Sequence, residues 1–274
     1  MLPNISENTM INSKINVHTL PCMSDNYAYV IHNHSSGTAA VVDIPEAGPI
    51  VEKILELGVI VTEVFLTHHH GDHIGGLDDL QMRLTTQLGQ APCRVIGAKA
   101  DAYRLPPLDY AVTPGQTIKL CEVDGQIFDA SGHTLGHVAL HMPEIKAVFT
   151  ADSLMAMGCG RLFEGTAAQM WQTLLQFRCL PNDTMVYSGH EYTASNMAFA
   201  LSLGEANPAV ASRAAQITKD RAAGRATVPS LLELELQTNP FLRADDPALQ
   251  SALGMSGAAA SDVFAAIRTQ KDKF

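Results

Sequence analysis

The chain has 274 residues, of which 46% are hydrophobic and 17% are charged, and its formal net charge is −10. This composition can bury a full hydrophobic core, which argues against a disordered protein, and the negative charge argues against a nucleic-acid partner. The apolar runs are shorter than the roughly 18 residues of a membrane span, and the cysteines form no C-x-x-C pair, so we expect a cytoplasmic protein without a membrane partner.

The first two thirds of the chain alternate β-branched runs with short helical segments. Residues 1–14 are polar and are expected to form a flexible tail. A helix is predicted at 50–58, where apolar residues recur at helical spacing and Gly58 follows. Strands are predicted at residues 39–44, 61–67, 93–98, 127–132 and 147–152. Several of these strands lead into His or Asp residues, which could therefore meet at one edge of a sheet.

The last third of the chain is predominantly helical. A helix is predicted to begin at Thr166, and another to open at Asn207 and Pro208, a residue pair typical of a helix N-terminus. Further helices are predicted over 190–204 and 261–272. We therefore predict a tail (1–14), a mixed α and β domain (15–190) and a helical domain (191–274).

The strongest motif is His68-x-His70-x-Asp72-His73, on a loop directly after the strand predicted at 61–67. Three more candidate ligands each follow an apolar run, namely His133, Asp152 and His190. Five imidazoles and two carboxylates suit zinc, iron or manganese better than copper or calcium. Seven ligands are too many for one tetrahedral ion but sufficient for two ions that share a bridging carboxylate.

At this point the sequence resembles a known family. The segments THHHGDHIGG, GHTLGH, FTADS and GHE resemble the metal motifs of the metallo-β-lactamase superfamily. The segments GCGRLFEGTAAQMWQTL, YSGHEYTASNMAFA and TNPFLR resemble glyoxalase II, the hydroxyacylglutathione hydrolases, and the resemblance extends from residue 25 to the C-terminus. It implies an α+β fold, in which a metallo-β-lactamase αββα sandwich is followed by a smaller α-helical, substrate-binding domain.

The resemblance also implies a site for two divalent metal ions, with zinc expected first and iron or manganese as alternatives. The implied ligands are His68, His70 and His133 for the first ion, Asp72, His73 and His190 for the second, and Asp152 as the bridge. His69 and His137 lie outside this set. His69 is expected to be a residue of the loop or to contact the ligands from outside, and His137 to hydrogen-bond to a ligand or within the core. The implied reaction is hydrolysis of S-(2-hydroxyacyl)glutathione, above all S-D-lactoylglutathione, by a hydroxide that bridges the metals, as part of methylglyoxal detoxification. In this reaction Asp152 and Asp72 are the catalytic carboxylates, and Asp72 could orient the water or accept its proton.

Five residues match the substrate-contact positions of the family: Arg161, Phe163, Tyr192, Arg268 and Lys271. Arg161 and Phe163 stand where many relatives carry Lys and Tyr, so one hydrogen bond from a tyrosine hydroxyl is lost. Arg268 and Lys271 are three residues apart and share a helix face, a spacing that alone is more typical of a solvated surface, whereas the resemblance favours a contact with glutathione. Ala151 replaces a glycine common in relatives, and its small size predicts little effect.

Two alternatives remain open from the sequence. A persulfide dioxygenase of the same fold would bind a single iron, and a non-catalytic metal-binding relative would turn over no thioester. The C-terminal motifs favour the hydrolase over the dioxygenase, and the complete ligand set argues against the non-catalytic relative. We expect a monomer.

Overall fold

The computed structural model describes residues 8–10 and 14–274. Most of the predicted tail over residues 1–14 therefore lies outside the described residues. The chain divides into two compact units, of which the first extends to Asp129 and includes Gly136–Phe149. The second comprises Ala130–Leu135 and Thr150–Phe274. Within the described residues, no helix combines the length and the apolar character that crossing a membrane requires.

The first unit contains a seven-stranded sheet whose strands follow one another in chain order, β1 to β7. Strands β1 to β4 pair antiparallel, whereas β4 to β7 pair parallel. The strands are β1 (Asn8–Met10), β2 (Ile15–Cys22), β3 (Asn26–Asn33), β4 (Thr38–Val42), β5 (Ile60–Leu66), β6 (Arg94–Ala98) and β7 (Tyr110–Val112).

Three helices lie between these strands: α1 (Ala47–Leu57), α2 (Gly71–Ile74) and α3 (Leu77–Thr86). The buried residues of α1 are Ala47, Ile50, Val51 and Ile54, the spacing of one apolar face of a helix. Gly58 ends α1 with φ of 64°, and its N–H donates to the carbonyl of Ile54. The core of this unit contains these side chains together with apolar residues of β3 to β6 and α3.

A second sheet has the strand order β11-β10-β9-β8, and these four strands form an antiparallel meander. They are β8 (Thr117–Leu120), β9 (Val123–Asp129), β10 (Val138–Met142) and β11 (Ala147–Ala151). Every residue of β10 and of β11 is buried, as expected for strands covered on both faces.

The second unit is mainly helical beyond residue 160. Its strands are β12 (Leu154–Met155), β13 (Gly158–Cys159), β14 (Met185–Ser188) and β15 (Ser230–Leu231). Its helices are α4 (Ala167–Arg178), α5 (Thr193–Ser202), α6 (Pro208–Ala222), α7 (Leu232–Thr238), α8 (Pro247–Ala252) and α9 (Ala260–Lys273). Helix α9 packs on α4, where the rings of Trp171 and Phe264 lie 6.1 Å apart.

The predicted elements agree with these bounds to within a few residues. Thr166 is the N-cap of α4 and forms a reciprocal capping box with Gln169. Asn207 caps α6 by accepting from the N–H groups of Ala209 and Val210. The strand predicted at 127–132 is shorter at its end, because β9 stops at Asp129 and the chain continues as a loop.

Buried His18 in β2 makes the stability of the first unit dependent on pH. Burial, together with the charges of Lys53, His32 and His34, lowers the pKa of His18 from 6.5 to about 4. In the unfolded chain His18 binds a proton as the pH falls through 6.5, whereas in the folded chain it remains neutral until the pH approaches 4. The free energy of unfolding therefore falls as the pH drops through this window.

We expect the wild type to lose about 2 kcal/mol of stability between about pH 7 and about pH 5 through His18 alone. The variant His18→Gln lacks this titration and should lose correspondingly less. Urea unfolding of both proteins at the two pH values measures the difference. Equal losses in the two proteins would show that His18 does not resist protonation in the fold.

Candidate metal centre

The first unit brings together four of the predicted ligands at the end of β5. His68 and His73 are fully buried, and their ring centroids lie 4.2 Å apart. His68 Nε2 lies 3.2 Å from His70 Nδ1. Asp72 and His73 belong to the single turn of α2, which His70 precedes as the N-cap. The loop therefore concentrates three imidazoles and one carboxylate within a short stretch of chain.

Asp43, at the end of β4, orients two of these imidazoles. Its Oδ2 accepts from His73 Nδ1 at 2.9 Å and from the hydroxyl of Thr67 at 2.8 Å. The Thr67 hydroxyl donates its one proton to Asp43, so it accepts from His68 Nδ1, 3.0 Å away. Both rings therefore carry their proton on Nδ1 and present a lone pair on Nε2. This is the usual arrangement around a metal-binding histidine.

Three further residues of this unit support the loop. Asn26 Nδ2 donates to the backbone carbonyl and to Oδ2 of Asp72, at 3.0 and 3.1 Å. Asp101, which is buried, lies 3.1 Å from His69 Nδ1. His137 stacks on His68 with ring centroids 4.6 Å apart and an interplanar angle of 11°. The ring of His137 therefore packs on the loop, whereas His69 belongs to the loop and contacts Asp101.

The second unit brings together the other three predicted ligands. His133 follows β9, Asp152 follows β11 and His190 follows β14, and all three side chains are buried. Asp152 Oδ2 lies 3.4 Å from His133 Nε2 and 3.3 Å from His190 Nε2. One carboxylate oxygen thus faces two imidazole nitrogens.

The hydrogen bonds of His133 show that this arrangement fits a bound cation. His133 Nδ1 lies 2.8 Å from the carbonyl oxygen of Arg161, which can only accept, so Nδ1 carries a proton. In the neutral ring, Nε2 then turns a lone pair toward Asp152 Oδ2. Two acceptors at that distance repel each other unless the ring is charged or a cation lies between them. The donor set, imidazole and carboxylate, is one that zinc, iron and manganese accept.

Each unit contains a cluster of side chains that could ligate a metal ion. They are His68, His70, Asp72 and His73 in the first unit, and His133, Asp152 and His190 in the second. The His and Asp clusters therefore fit a site for two divalent metal ions.

Two of the predicted substrate residues lie directly on candidate ligands in the second unit. The Tyr192 ring stacks on His190 with centroids 4.6 Å apart, and the Phe163 ring meets His133 edge-on at 5.2 Å. Tyr192 is 40% exposed and Phe163 is 63% exposed. Such large exposed rings beside buried polar ligands are available for contact with another molecule.

The three predicted basic contacts have different surroundings. Arg161 is largely exposed, and its Nε lies 3.9 Å from Asp272 Oδ1. Arg268 is buried, donates from Nη1 to the carbonyl of Cys159 at 2.8 Å, and pairs with Asp272. Lys271 donates to Ser195, and burial and the charges of Arg268 and Arg161 lower its pKa. Positive charge is therefore concentrated in this region, and the guanidinium of Arg161 is more accessible than that of Arg268.

Ala151, the residue before Asp152, has a backbone conformation that disfavours its side chain. Its φ is 41°, in the left-handed region, where a non-glycine residue costs roughly 1–2 kcal/mol. The small size of alanine predicted little effect, but the cost lies in the backbone and not in the space. We expect Ala151→Gly to raise the free energy of unfolding by roughly 0.5–1 kcal/mol, after the entropy of glycine is subtracted. Urea unfolding tests this, and a less stable variant would contradict it.

Sequence reasoning missed Asp43, Asn26 and Asp101. Asp43 follows an apolar strand just as Asp152 does, so the rule that found Asp152 would also have found it. Asn26 and Asp101 carry no comparable signal, because their roles arise from contacts across 46 and 32 residues of chain.

Comparison with known proteins identifies the fold and the family of the chain. Residues 56–190 match the family model described as the metallo-beta-lactamase superfamily. Residues 191–274 match the model of the hydroxyacylglutathione hydrolase C-terminus. A structure of ETHE1 from Myxococcus xanthus has a TM-score of 0.53 at 22% identity and covers 87% of this chain and 99% of its own. The structure of a protein in a di-iron-bound form has a TM-score of 0.56 at 23% identity. The match covers 82% of this chain and 98% of that protein's chain.

The fold and the clusters define an enzyme of the metallo-β-lactamase superfamily, with a helical C-terminal region. A hydroxyacylglutathione hydrolase of Ruegeria pomeroyi is 55% identical over 260 residues, which are 95% of this chain and 99% of the relative. One from a Jannaschia species is 52% identical over 256 residues, or 93% and 97% of the two chains. The chain belongs to the hydroxyacylglutathione hydrolase (glyoxalase II) family and is a thioester hydrolase. Both relatives carry the name of the hydrolase, in agreement with the preference that the C-terminal motifs gave over the dioxygenase.

Proposed function

We propose that this enzyme hydrolyses S-(2-hydroxyacyl)glutathione, with S-D-lactoylglutathione as the preferred substrate, to glutathione and D-lactate. The names of the relatives support the glutathione thioester. The contact of Tyr192 and Phe163 with His190 and His133 is the observation that carries the proposal, because it places exposed side chains for substrate binding beside the ligands. The same reaction would serve methylglyoxal detoxification in the cytoplasm, and we propose that the enzyme acts as a monomer.

We further propose the roles of the seven ligands. His68, His70 and His133 would hold one ion, Asp72, His73 and His190 would hold the other, and Asp152 would contribute to both. The clustering of these side chains within each unit supports this assignment. Zinc is the proposed metal, and iron or manganese would fit the same donors.

The side chains prepare the hydrolysis in several ways. When bound, two divalent ions would lower the pKa of a water molecule to roughly 7, which supplies a nucleophile at neutral pH. Asp72 is partly exposed, and Asn26 holds its Oδ2. That carboxylate can therefore orient the water or accept its proton. Asp43 and the carbonyl of Arg161 keep His68, His73 and His133 in a single tautomer.

We propose that glutathione binds to the helical domain, residues 191–274, together with the loop that carries Arg161 and Phe163. Arg161 and Lys271 supply positive charge for its carboxylates, and a guanidinium offers two parallel donors to one carboxylate. Tyr192 supplies a hydroxyl, whereas Phe163 offers only an apolar edge. Arg268 already donates to Cys159 and Asp272, so it contributes charge and holds the loop in addition to any contact with substrate.

The proposal is tested by comparing two thioesters with the purified, metal-loaded protein. One is S-D-lactoylglutathione and the other is a small lactoyl thioester without the tripeptide, both followed by loss of thioester absorbance. We expect kcat/KM to favour the glutathione ester by at least about 100-fold, because remote contacts with the tripeptide supply binding energy. Equal values for the two substrates would rule out glutathione recognition.

Replacing Arg161 tests the substrate contact directly. We expect Arg161→Ala to raise KM for S-D-lactoylglutathione about tenfold, since an ion pair with a carboxylate is lost, and to change kcat little. The backbone carbonyl that orients His133 is unchanged by this substitution. Arg268→Ala should raise KM for the glutathione ester as well, but it also removes the hydrogen bond to Cys159, so it is the less specific test.

Arg225→Ala provides the matched control, because Arg225 is an exposed residue of the second unit that pairs with Asp220. It should leave KM unchanged. If Arg161→Ala raised KM equally for the small thioester, or not at all, Arg161 would not bind the tripeptide.

A further inference from the structure

A tight hairpin, residues 154–159, connects Asp152 to Arg161. It comprises β12 and β13, which pair antiparallel. Side chains from the helical part of the second unit bind its backbone. Asn239 Nδ2 lies within hydrogen-bonding distance of two of its carbonyl oxygens, Met155 O at 3.1 Å and Gly158 O at 3.0 Å.

Three more backbone groups of the hairpin have side-chain partners. Asn196 Nδ2 donates to Ala156 O at 3.1 Å, and Arg268 Nη1 donates to Cys159 O at 2.8 Å. The N–H of Met157, whose φ is 59°, donates to Glu235 Oε2 at 2.9 Å. Five consecutive residues, 155–159, are thus held by four side chains. This density of contact fixes a conformation that the hairpin sequence alone would not favour.

A buried polar network holds two of these side chains in place. Glu235 is fully buried and pairs with Arg213, which also donates to the Thr238 hydroxyl at 2.6 Å. Glu235 Oε2 lies 3.0 Å from Asn239 Nδ2, whose two protons are shared between this oxygen and the two hairpin carbonyls, and Asn239 Oδ1 accepts from the N–H of Phe241. Buried ion pairs add little net stability compared with apolar packing. The network is therefore better explained by the geometry that it imposes.

The base of the hairpin adjoins the candidate ligands. Thr150 precedes Asp152 in the chain and Leu154 follows it, and the Thr150 hydroxyl donates to the carbonyl oxygen of Leu154 at 2.7 Å. At the other end, Gly160 packs so closely that a Cβ on it would lie 1.9 Å from the Asp152 carbonyl oxygen. The next residue, Arg161, supplies the carbonyl that orients His133. A shift of the hairpin would therefore displace Asp152 and the partner of His133 together.

We propose that Asn239 and Glu235 are positioning residues, which hold the hairpin so that Asp152 and His133 keep the orientation needed to bind metal. Neither residue is among the proposed ligands or substrate contacts. The inference rests on the proposed function only in taking Asp152 and His133 as metal ligands, and its readout needs no substrate.

The test compares Asn239→Ala with Asn207→Ala in the full-length, metal-loaded protein. Asn207 caps α6, so its loss costs about 1 kcal/mol of stability without touching the hairpin. The rate of metal release to a chelator is measured well below the melting temperature of each variant. The absorption spectrum of the cobalt-substituted protein reports the geometry of the ligands.

We expect Asn239→Ala to release metal about tenfold faster than the wild type, as for partners that orient ligands, and to alter the cobalt spectrum. Asn207→Ala should match the wild type in both. If Asn239→Ala does not fold, Glu235→Gln replaces it, since it preserves shape and should shift both readouts in the same direction. Wild-type release and an unchanged spectrum in the folded hairpin variant would overturn the inference. A wild type that keeps its metals but does not cleave the glutathione ester would instead overturn the proposed function alone.

Discussion

Asp152→Ala should abolish activity and reduce metal content at the same time. Asp152 Oδ2 faces both His133 and His190, so its loss removes the carboxylate proposed to bridge the ions. We expect bound metal to fall from about two ions per chain to one or fewer, and kcat/KM to fall at least about 1000-fold, the equivalent of some 4 kcal/mol. Metal analysis and thioester hydrolysis on the same sample measure both effects.

Asp246→Ala controls for a general loss of stability in this experiment. Asp246 is the N-cap of α8 in the same unit, and its side chain accepts from the N–H of Ala248. Its replacement should lower stability by about 1 kcal/mol and leave metal content intact. Full activity in Asp152→Ala would contradict the two-metal assignment.

Asp43→Asn should weaken metal binding although Asp43 is not a proposed ligand. Its Oδ2 orients His73 directly and His68 through Thr67. An amide can satisfy only some of these donors, so the two rings lose their fixed tautomer. We expect metal affinity to fall about 10- to 100-fold, with a parallel loss of activity at limiting metal. Chelator competition measures the affinity.

Asparagine is the suitable replacement because the φ of Asp43 is 55°, a left-handed conformation that Asn tolerates better than most residues. An effect of Asp43→Asn therefore reports on hydrogen bonding and not on backbone strain. Asp124→Asn, on the exposed side of β9, is the matched control and should bind metal as the wild type does. Unchanged affinity in Asp43→Asn would mean that the carboxylate does not orient the imidazoles.

Most of the fold and the candidate ligands could be predicted because their signals are local. Helix α1 appears in the sequence as one apolar stripe that ends at a glycine, and α6 begins at a recognisable cap. His68, Asp152 and His190 each follow an apolar strand. The periodicity of apolar residues and the ends of strands are properties of short segments, so a single sequence is enough to find them.

The supporting contacts could not be predicted because they join distant segments. The backbone carbonyl of Arg161 orients His133 across 28 residues of chain. Every residue has such a carbonyl, so the residue type does not reveal this role. Asn239 contacts Met155 and Gly158 across more than 80 residues. The burial of Arg268 could not be predicted either, since its spacing from Lys271 is more typical of an exposed helix face. Such contacts depend on the tertiary fold.

Stepwise zinc addition to metal-free protein, with hydrolysis of S-D-lactoylglutathione measured at each step, tests the central claim most directly. The proposed site predicts activity that rises until about two ions are bound per chain and then stays constant. A plateau at one ion, or no turnover with two ions bound, would contradict it.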